Sequence, residues 1–458
     1  MKVKAVEKLL KFDKNPGSST DNQGGTDNFF FEKVLVVRNI FIIFAPYYIN
    51  PRLMTHNTTP SYKKVNQRNR PCDPLKKIIV WSLATAFVCY LNVTSVAAQG
   101  NNSGQGGDDK NIQSIANRVL KLEKSSDAFN LFLNLHTSYQ ERFDGDDKGG
   151  SFKGRQLRLE MKGNLDDHWS YRLRYRLNRP GSQQDDNFSN NIDFMQVNYR
   201  INDRWRLTAG KKELSLGGFE FDYNPIQIIE YSDFMDALAE FHVSAQVAYT
   251  IAKGHEIQAE VFNSNNDKAD KVYEGAGIER SRHPLGINLN WTGNMFDGRL
   301  QTLWACNYMS EAKGANTKMV MLGQKLNMEK WQLFIDYYGA WEDIDRHGIV
   351  TTDMGSIARK VAYNSVIGEL HYQPAAHWNL FVKGAVEKAS LRKVEALRNY
   401  RTSYTYQAAV QWFPDLTQDA RLSLAYVGKS VKYKDGCGLE DYNNNRIELS
   451  LIYRIKVY

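Results

Sequence analysis

Long apolar runs are missing from this chain of 458 residues. The longest, Ile78 to Leu91, is broken by Ser82 and Thr85 and falls short of the roughly 18–20 residues a spanning helix needs. Cysteine is scarce as well, with 4 in all. Cys306 and Cys437, the two outside the leader described below, have no CxxC or Cys/His spacing. They give no ground for a metal centre, and a disulfide between them stays open. No G-x-S-x-G, H-E-x-x-H or phosphate-cradling loop occurs, and the Gly-Lys-Lys at 210–212 lacks the rest of such a loop. An enzyme, a cofactor and a catalytic residue are therefore not expected. Basic charge is absent where it would matter: residues 1–98 hold 14 Lys and Arg against 6 Asp and Glu, so the net +8 lies there and the remaining chain is neutral. Nucleic acid is not an expected partner.

Aromatics are plentiful by contrast, at 12% with 25 Tyr and 9 Trp. Four times a short turn ends in a basic residue or His followed by Trp: His168-Trp169, Arg204-Trp205, Lys330-Trp331 and His377-Trp378. A strand-like segment starts at each. After Trp169, Tyr171, Leu173, Tyr175 and Leu177 fall on one face, and Arg172, Arg174 and Arg176 on the other. A soluble sheet has no reason to repeat Trp at the same point of each hairpin. A membrane barrel does, because Trp settles at the lipid–water boundary while apolar residues face lipid and charges face a wet lumen. Trp169, Trp205, Trp331 and Trp378 are thus read as membrane-interface aromatics, with Tyr458 at the chain end. Outer-membrane lipids and the barrel-assembly machinery are the partners this implies. Tyr458 falls on the polar row of its strand, one position out of phase with the usual terminal signal.

The leader has the three parts of a secretory signal at 75–98: Lys76-Lys77, an apolar stretch, and Val96-Ala97-Ala98 for cleavage. Export through the inner membrane to a bacterial outer membrane follows. Residues 1–74 read as a non-native or disordered extension, with initiation near Met54 or at Leu75; a long n-region is the alternative. Residues 99–127 read as a linker and a short amphipathic, coiled-coil-like helix, with Ile112, Ile115, Val119 and Leu122 in 3-4-3 spacing.

From 128 to 458 the pattern predicts a transmembrane β-barrel. Sixteen strand-like segments are joined alternately by tight turns and by mostly longer polar loops. The turns lie at 164–168, 202–204, 252–255, 292–298, 327–330, 374–377 and 414–419. The expected fold class is all-β, a 16-stranded antiparallel barrel preceded by a short periplasmic helix. A barrel of that size leaves an open lumen. Arg158, Lys162, Arg172, Arg174, Arg176, Arg206 and Lys212 are expected to line it as a basic row. Glu160, Asp193, Glu260, Asp336 and Glu369 are available to pair with them. The third long loop, 217–240, holds Glu220, Asp222, Glu230, Asp233, Asp236 and Glu240 and no Lys or Arg. Folded inward, it brings acids to a constriction facing the arginines, giving a transverse field or near-complete neutralisation.

The stretches "GRQLRLEMKGNLDDHWSYRLRYRL" (154–177) and "WRLTAGKKELSLGG" (205–218), with the short helix before them, resemble the phosphate-selective porin O and P family in its Bacteroidetes-type form. The resemblance covers about residues 110–458. It implies a water-filled, homotrimeric channel for passive diffusion of small hydrophilic solutes, with a preference for anions such as phosphate. The acidic third loop departs from the basic wall and loop of phosphate-selective members. The rival reading is a non-conducting structural or adhesive outer-membrane barrel.

Overall fold

The computed structural model describes residues 128–144, 148–184, 186–264 and 277–458. The extension, signal peptide and short helix expected before the barrel lie outside the described residues. The first eight strands are β1 (Asn130–Arg142), β2 (Gly149–Asn164), β3 (Trp169–Arg176), β4 (Ile192–Arg200), β5 (Trp205–Glu213), β6 (Phe241–Ala252), β7 (His255–Asn263) and β8 (Leu285–Met295). The second eight are β9 (Leu300–Ala312), β10 (Ala315–Asn327), β11 (Trp331–Ile344), β12 (Arg359–Ala375), β13 (Trp378–Leu391), β14 (Arg401–Trp412), β15 (Asp419–Tyr433) and β16 (Tyr442–Lys456). Every strand pairs antiparallel with its sequence neighbours, and β1 closes on β16 in the register Asn134↔Arg454 and Ser138↔Ser450. The strand count is the one the alternation predicts.

The alternation of side chains also fixes which face meets lipid. On β16 Leu449 is 54% exposed on the outer face while the neighbouring Glu448 is fully buried on the inner one. A soluble fold reverses that order; a barrel standing in hydrocarbon requires it.

The four basic–Trp pairs share one geometry. In each, the carbonyl before the Trp accepts an N–H from the next strand: Arg200 on His168, Thr250 on Arg204, Gln373 on Lys330 and Phe413 on His377. Each Trp then lies opposite an aromatic of that next strand, as Trp169–Tyr199 at 4.6 Å, Trp205–Tyr249 at 4.5 Å, Trp331–Tyr372 at 4.1 Å and Trp378–Trp412 at 6.3 Å. All four face outward, forming one girdle at the short-turn end. An Asx residue starts two of the turns: the side chains of Asp166 and Asn202 accept the N–H of the basic residue and of the Trp. His168 and His377 each donate from Nδ1 to a carbonyl of the neighbouring strand's end, at 2.6 Å in both cases. Tyr458 lies just past β16, its ring 5.4 Å from Phe129. Cys306 and Cys437 are free thiols.

At the opposite end several strands run further than the apolar alternation predicts. The outward apolar rows of β9, β13 and β15 give way after Tyr308, Val386 and Tyr426, yet these strands run on to Ala312, Leu391 and Tyr433. Hydrophobic periodicity stops where lipid stops. Backbone pairing does not, and continues with polar residues on the outer face.

Candidate functional site

The connection between β5 and β6, residues 214–240, folds into the barrel instead of standing above it. It carries two short helices, α1 (Phe219–Asp222) and α2 (Asp233–Ala237). Phe219, Phe221, Phe234, Met235 and Leu238 pack on inward-facing apolar side chains of the wall, among them Met319, Met321, Phe334 and Tyr338. Gly217 and Gly218 make the approach possible. A Cβ at Gly217 would strike the Met321 carbonyl, and one at Gly218, where φ is 95°, would strike the Tyr338 ring.

Wall carboxylates hold the loop's backbone. Asp336 of β11 accepts the N–H groups of Phe219 (3.0 Å) and Glu220 (2.8 Å), capping α1 from the barrel side. Glu387 of β13 does the same for α2, accepting from Asp233 (2.8 Å) and Phe234 (2.9 Å). Both satisfy amides that a helix start leaves without partners. Neither Asp336 nor Glu369 pairs with an arginine as the sequence allowed: Glu369 meets His371 at 2.6 Å.

The loop's own acids do not face the arginine row as a set, which corrects the sequence expectation. Glu220 is fully buried against Lys383 of β13, and it also accepts from the Ser232 amide and hydroxyl. Glu230 meets Arg446 of β16 at 2.7 Å and Arg155 of β2 at 3.4 Å. Asp233 lies between Arg401 of β14, at 2.9 Å, and Lys429 of β15. Burial pushes Glu230 and Asp233 up, but these cations outweigh it and hold both below the ordinary carboxylate range. Glu240 alone reaches the row, at 3.8 Å from Arg176. Asp222 and Asp236 stay exposed. The physical reason is reach: the loop crosses the lumen to β13–β16, where inward-facing Lys383, Arg401, Lys429 and Arg446 wait. Sequence reasoning missed those four, although each sits at an inward position of its strand.

The basic row itself divides in two. Arg158 (3.2 Å), Arg174 (2.9 Å) and Arg176 (2.6 Å) converge on Asp193, while Arg172 (2.7 Å) and Arg454 (3.6 Å) share Glu160. Five guanidinium groups thus meet two carboxylates. Phe194 is sandwiched between Arg172 and Arg174, with guanidinium carbons 3.9 and 4.5 Å from its centroid. Lys212 pairs with Glu260 at 2.6 Å, and Arg206 with Glu256 at 2.8 Å. Exposure separates the members: the side chains of Arg174 and Arg158 are 2% and 7% exposed, those of Arg172 and Arg206 32% and 36%. Lys162 is exposed too. The water-accessible cations therefore lie toward the short-turn mouth, where Ser170, Asn198, Arg200, Arg206 and Glu256 line an open depression. Arg200 belongs to this group and was not among the expected residues. Its inward position opposite Arg206 on β5 is the signal that marks it.

Residues 129–455 match the family model described as phosphate-selective porin O and P. No curated protein sequence matches the chain. Among solved structures, the outer membrane channel DcaP of Acinetobacter baumannii is similar at a TM-score of 0.53 and 11% identity, over 71% of this chain and 97% of that one. OmpF of Salmonella typhi, in complex with daunomycin, gives 0.48 and 10%, over 71% and 97%. OprB of Pseudomonas putida gives 0.46 and 12%, over 72% and 94%. At 11% identity the likeness to the DcaP channel is one of fold. With well over half its length matched by the family model and its sixteen strands closed around a polar interior, the chain belongs to the phosphate-selective porin O and P family and is an outer-membrane porin, a channel for passive diffusion of small solutes.

Proposed function

We propose that this porin prefers small anions, phosphate among them, and that the β2–β5 wall near the short-turn mouth sets the preference. The observation that carries this reading is the imbalance there: four arginines of that wall, joined by Arg454 of β16, converge on Glu160 and Asp193, the side chains of Arg172 and Arg206 are 32% and 36% exposed, and Arg200 lines the open depression. A basic surface in a narrow channel with low-dielectric walls raises the local concentration of anions and lowers their barrier. Three of the six loop acids, Glu220, Glu230 and Asp233, are already paired with cations of β13–β16, which leaves them little charge to set against the row.

The remaining expectations complete the reading. Residues 75–98 act as the export signal. Three copies assemble, as the family resemblance implies, and the work of the protein is conduction rather than catalysis. The test of selectivity is the zero-current potential of the purified protein in a planar bilayer under a potassium chloride gradient. An anion-selective sign is expected. A cation-selective sign, or no conductance, overturns the reading.

A further inference from the structure

The outer surface of the barrel carries a feature that conduction does not use. Three exposed lysines face outward near the loop ends of strands in one sector: Lys318 on β10, Lys388 on β13 and Lys432 on β15. Lys318 is flanked across its strand by Tyr308 and Trp341, both exposed. Lys388 and Lys432 flank Thr402 from either side, so their backbones stand two strand spacings apart, about 10 Å. Asn364, Ser430 and Asn443 add further outward amides and hydroxyls to this patch. Tyr404, 42% exposed, lies directly below it toward the lipid.

These lysines are poorly supplied with acids. Lys432 has a solvent-screened pair with Asp441 at 3.0 Å, with both side chains about half exposed. Asp343, the outward acid of β11, is already shared by Lys360 (2.7 Å) and Arg392 (3.3 Å). No ion pair of Lys318 or Lys388 occurs among the described residues. The height is also informative, since these lysines lie in or beside the strand extensions that continue past the apolar alternation, at the level where headgroups replace acyl chains. At the short-turn end the equivalent outward positions hold Trp and Tyr instead.

We propose that this sector is a docking site for a phosphorylated glycolipid of the outer leaflet. Lys388 and Lys432, about 10 Å apart, would take its phosphates, Lys318 would add to the positive field at the edge of the patch three strands from Lys388, and the Asn, Thr and Ser side chains would take sugar hydroxyls. Tyr404 would pack against the junction of headgroup and acyl chain. The glycolipid is favoured over a plain anionic phospholipid because hydroxyl and amide groups sit between the charges. A single phosphodiester headgroup is too small to reach these groups and both lysines at once.

The test counts bound lipid by native mass spectrometry on the detergent-purified full protein. It is titrated with diphosphoryl lipid A, with its dephosphorylated form, and with phosphatidylglycerol. Diphosphoryl lipid A is expected to bind more tightly than either of the others. The triple variant Lys318→Gln/Lys388→Gln/Lys432→Gln should lose at least tenfold in affinity for it, at about fivefold per surface lysine. A control, Arg299→Gln/Lys330→Gln in the short turns, should bind as the parent does. Heat-dependent gel mobility verifies that both variants are folded barrels. Unchanged binding by the folded triple variant overturns the proposal, as does equal binding of the dephosphorylated form. Equal binding of phosphatidylglycerol overturns the glycolipid assignment.

Discussion

On β3, outward Tyr171, Leu173 and Tyr175 alternate with inward Arg172, Arg174 and Arg176; on β10 and β11 inward Met319, Met321, Phe334 and Tyr338 form an apolar patch around Asp336, on strands whose outer face is apolar too. The difference decides what each wall of the lumen touches. Arginines on the first wall keep water and counter-ions beside it. Apolar side chains on the second have no use for water, and the β5–β6 loop covers them with Phe219, Phe221 and Phe234. Charge follows the same division. On the loop-bearing side each buried acid of the loop has its own cation; on the open side cations exceed carboxylates. On the proposed reading, selectivity belongs to the arginine-bearing wall and channel size to the wall on which the loop's aromatics pack.

The comparison can be broken most forcefully at Lys383. Lys383→Ala strands Glu220 in a fully buried place, a loss of about 3–5 kcal/mol when one partner of such a pair is removed. The loop should come free, and single-channel recordings should show larger and noisier openings with little change of ion preference. Next in size is the open wall: Arg172→Glu with Arg206→Glu should move the reversal potential toward cations and leave unit conductance within about twofold, as expected of surface charge steering ions. Arg174→Gln sharpens the contrast. Its side chain is sealed between Phe194 and Asp193, so thermal unfolding of the barrel should shift down while the reversal potential moves less than for Arg172.

Acid should act on the loop side first. Glu230 and Asp233 are held below the ordinary carboxylate range by Arg446, Arg401 and Lys429 in spite of burial. Their contribution is therefore complete above about pH 4 and is lost as pH falls through their depressed values. Conductance noise recorded from pH 7 downward should grow most steeply below about pH 4, where this pair of loop contacts is lost. The smallest expected effect is at the girdle: His168→Ala removes one Nδ1–carbonyl bond, worth about 1 kcal/mol. It should lower the temperature of heat-dependent mobility slightly without touching conduction.

Most of the barrel was legible in sequence because a strand between lipid and water must alternate, and Trp marks one boundary. Strand number and the seven tight turns follow from those two rules. The upper strand ends were not legible, since pairing continues above the lipid where alternation stops. The pairing of Arg174 and Arg176 with Asp193, and of Lys212 with Glu260, could be listed as options but not chosen. The loop's partners were further out of reach. Nothing local in Glu220 or Asp233 points to Lys383, more than a hundred residues away, or to Arg401 and Lys429. One signal was available and unread: the doubled apolar faces of Met319 to Leu322 and Leu333 to Tyr338 mark a wall that must be covered from inside.

The division of labour between the walls is tested most directly by the reversal potential of Arg172→Glu/Arg206→Glu beside that of Lys383→Ala, in one salt gradient. A shift toward cations in the first and an unmoved potential with altered conductance in the second is the predicted result. A potential that moves with Lys383→Ala and stays fixed with the arginine pair would place selectivity on the loop side and contradict it.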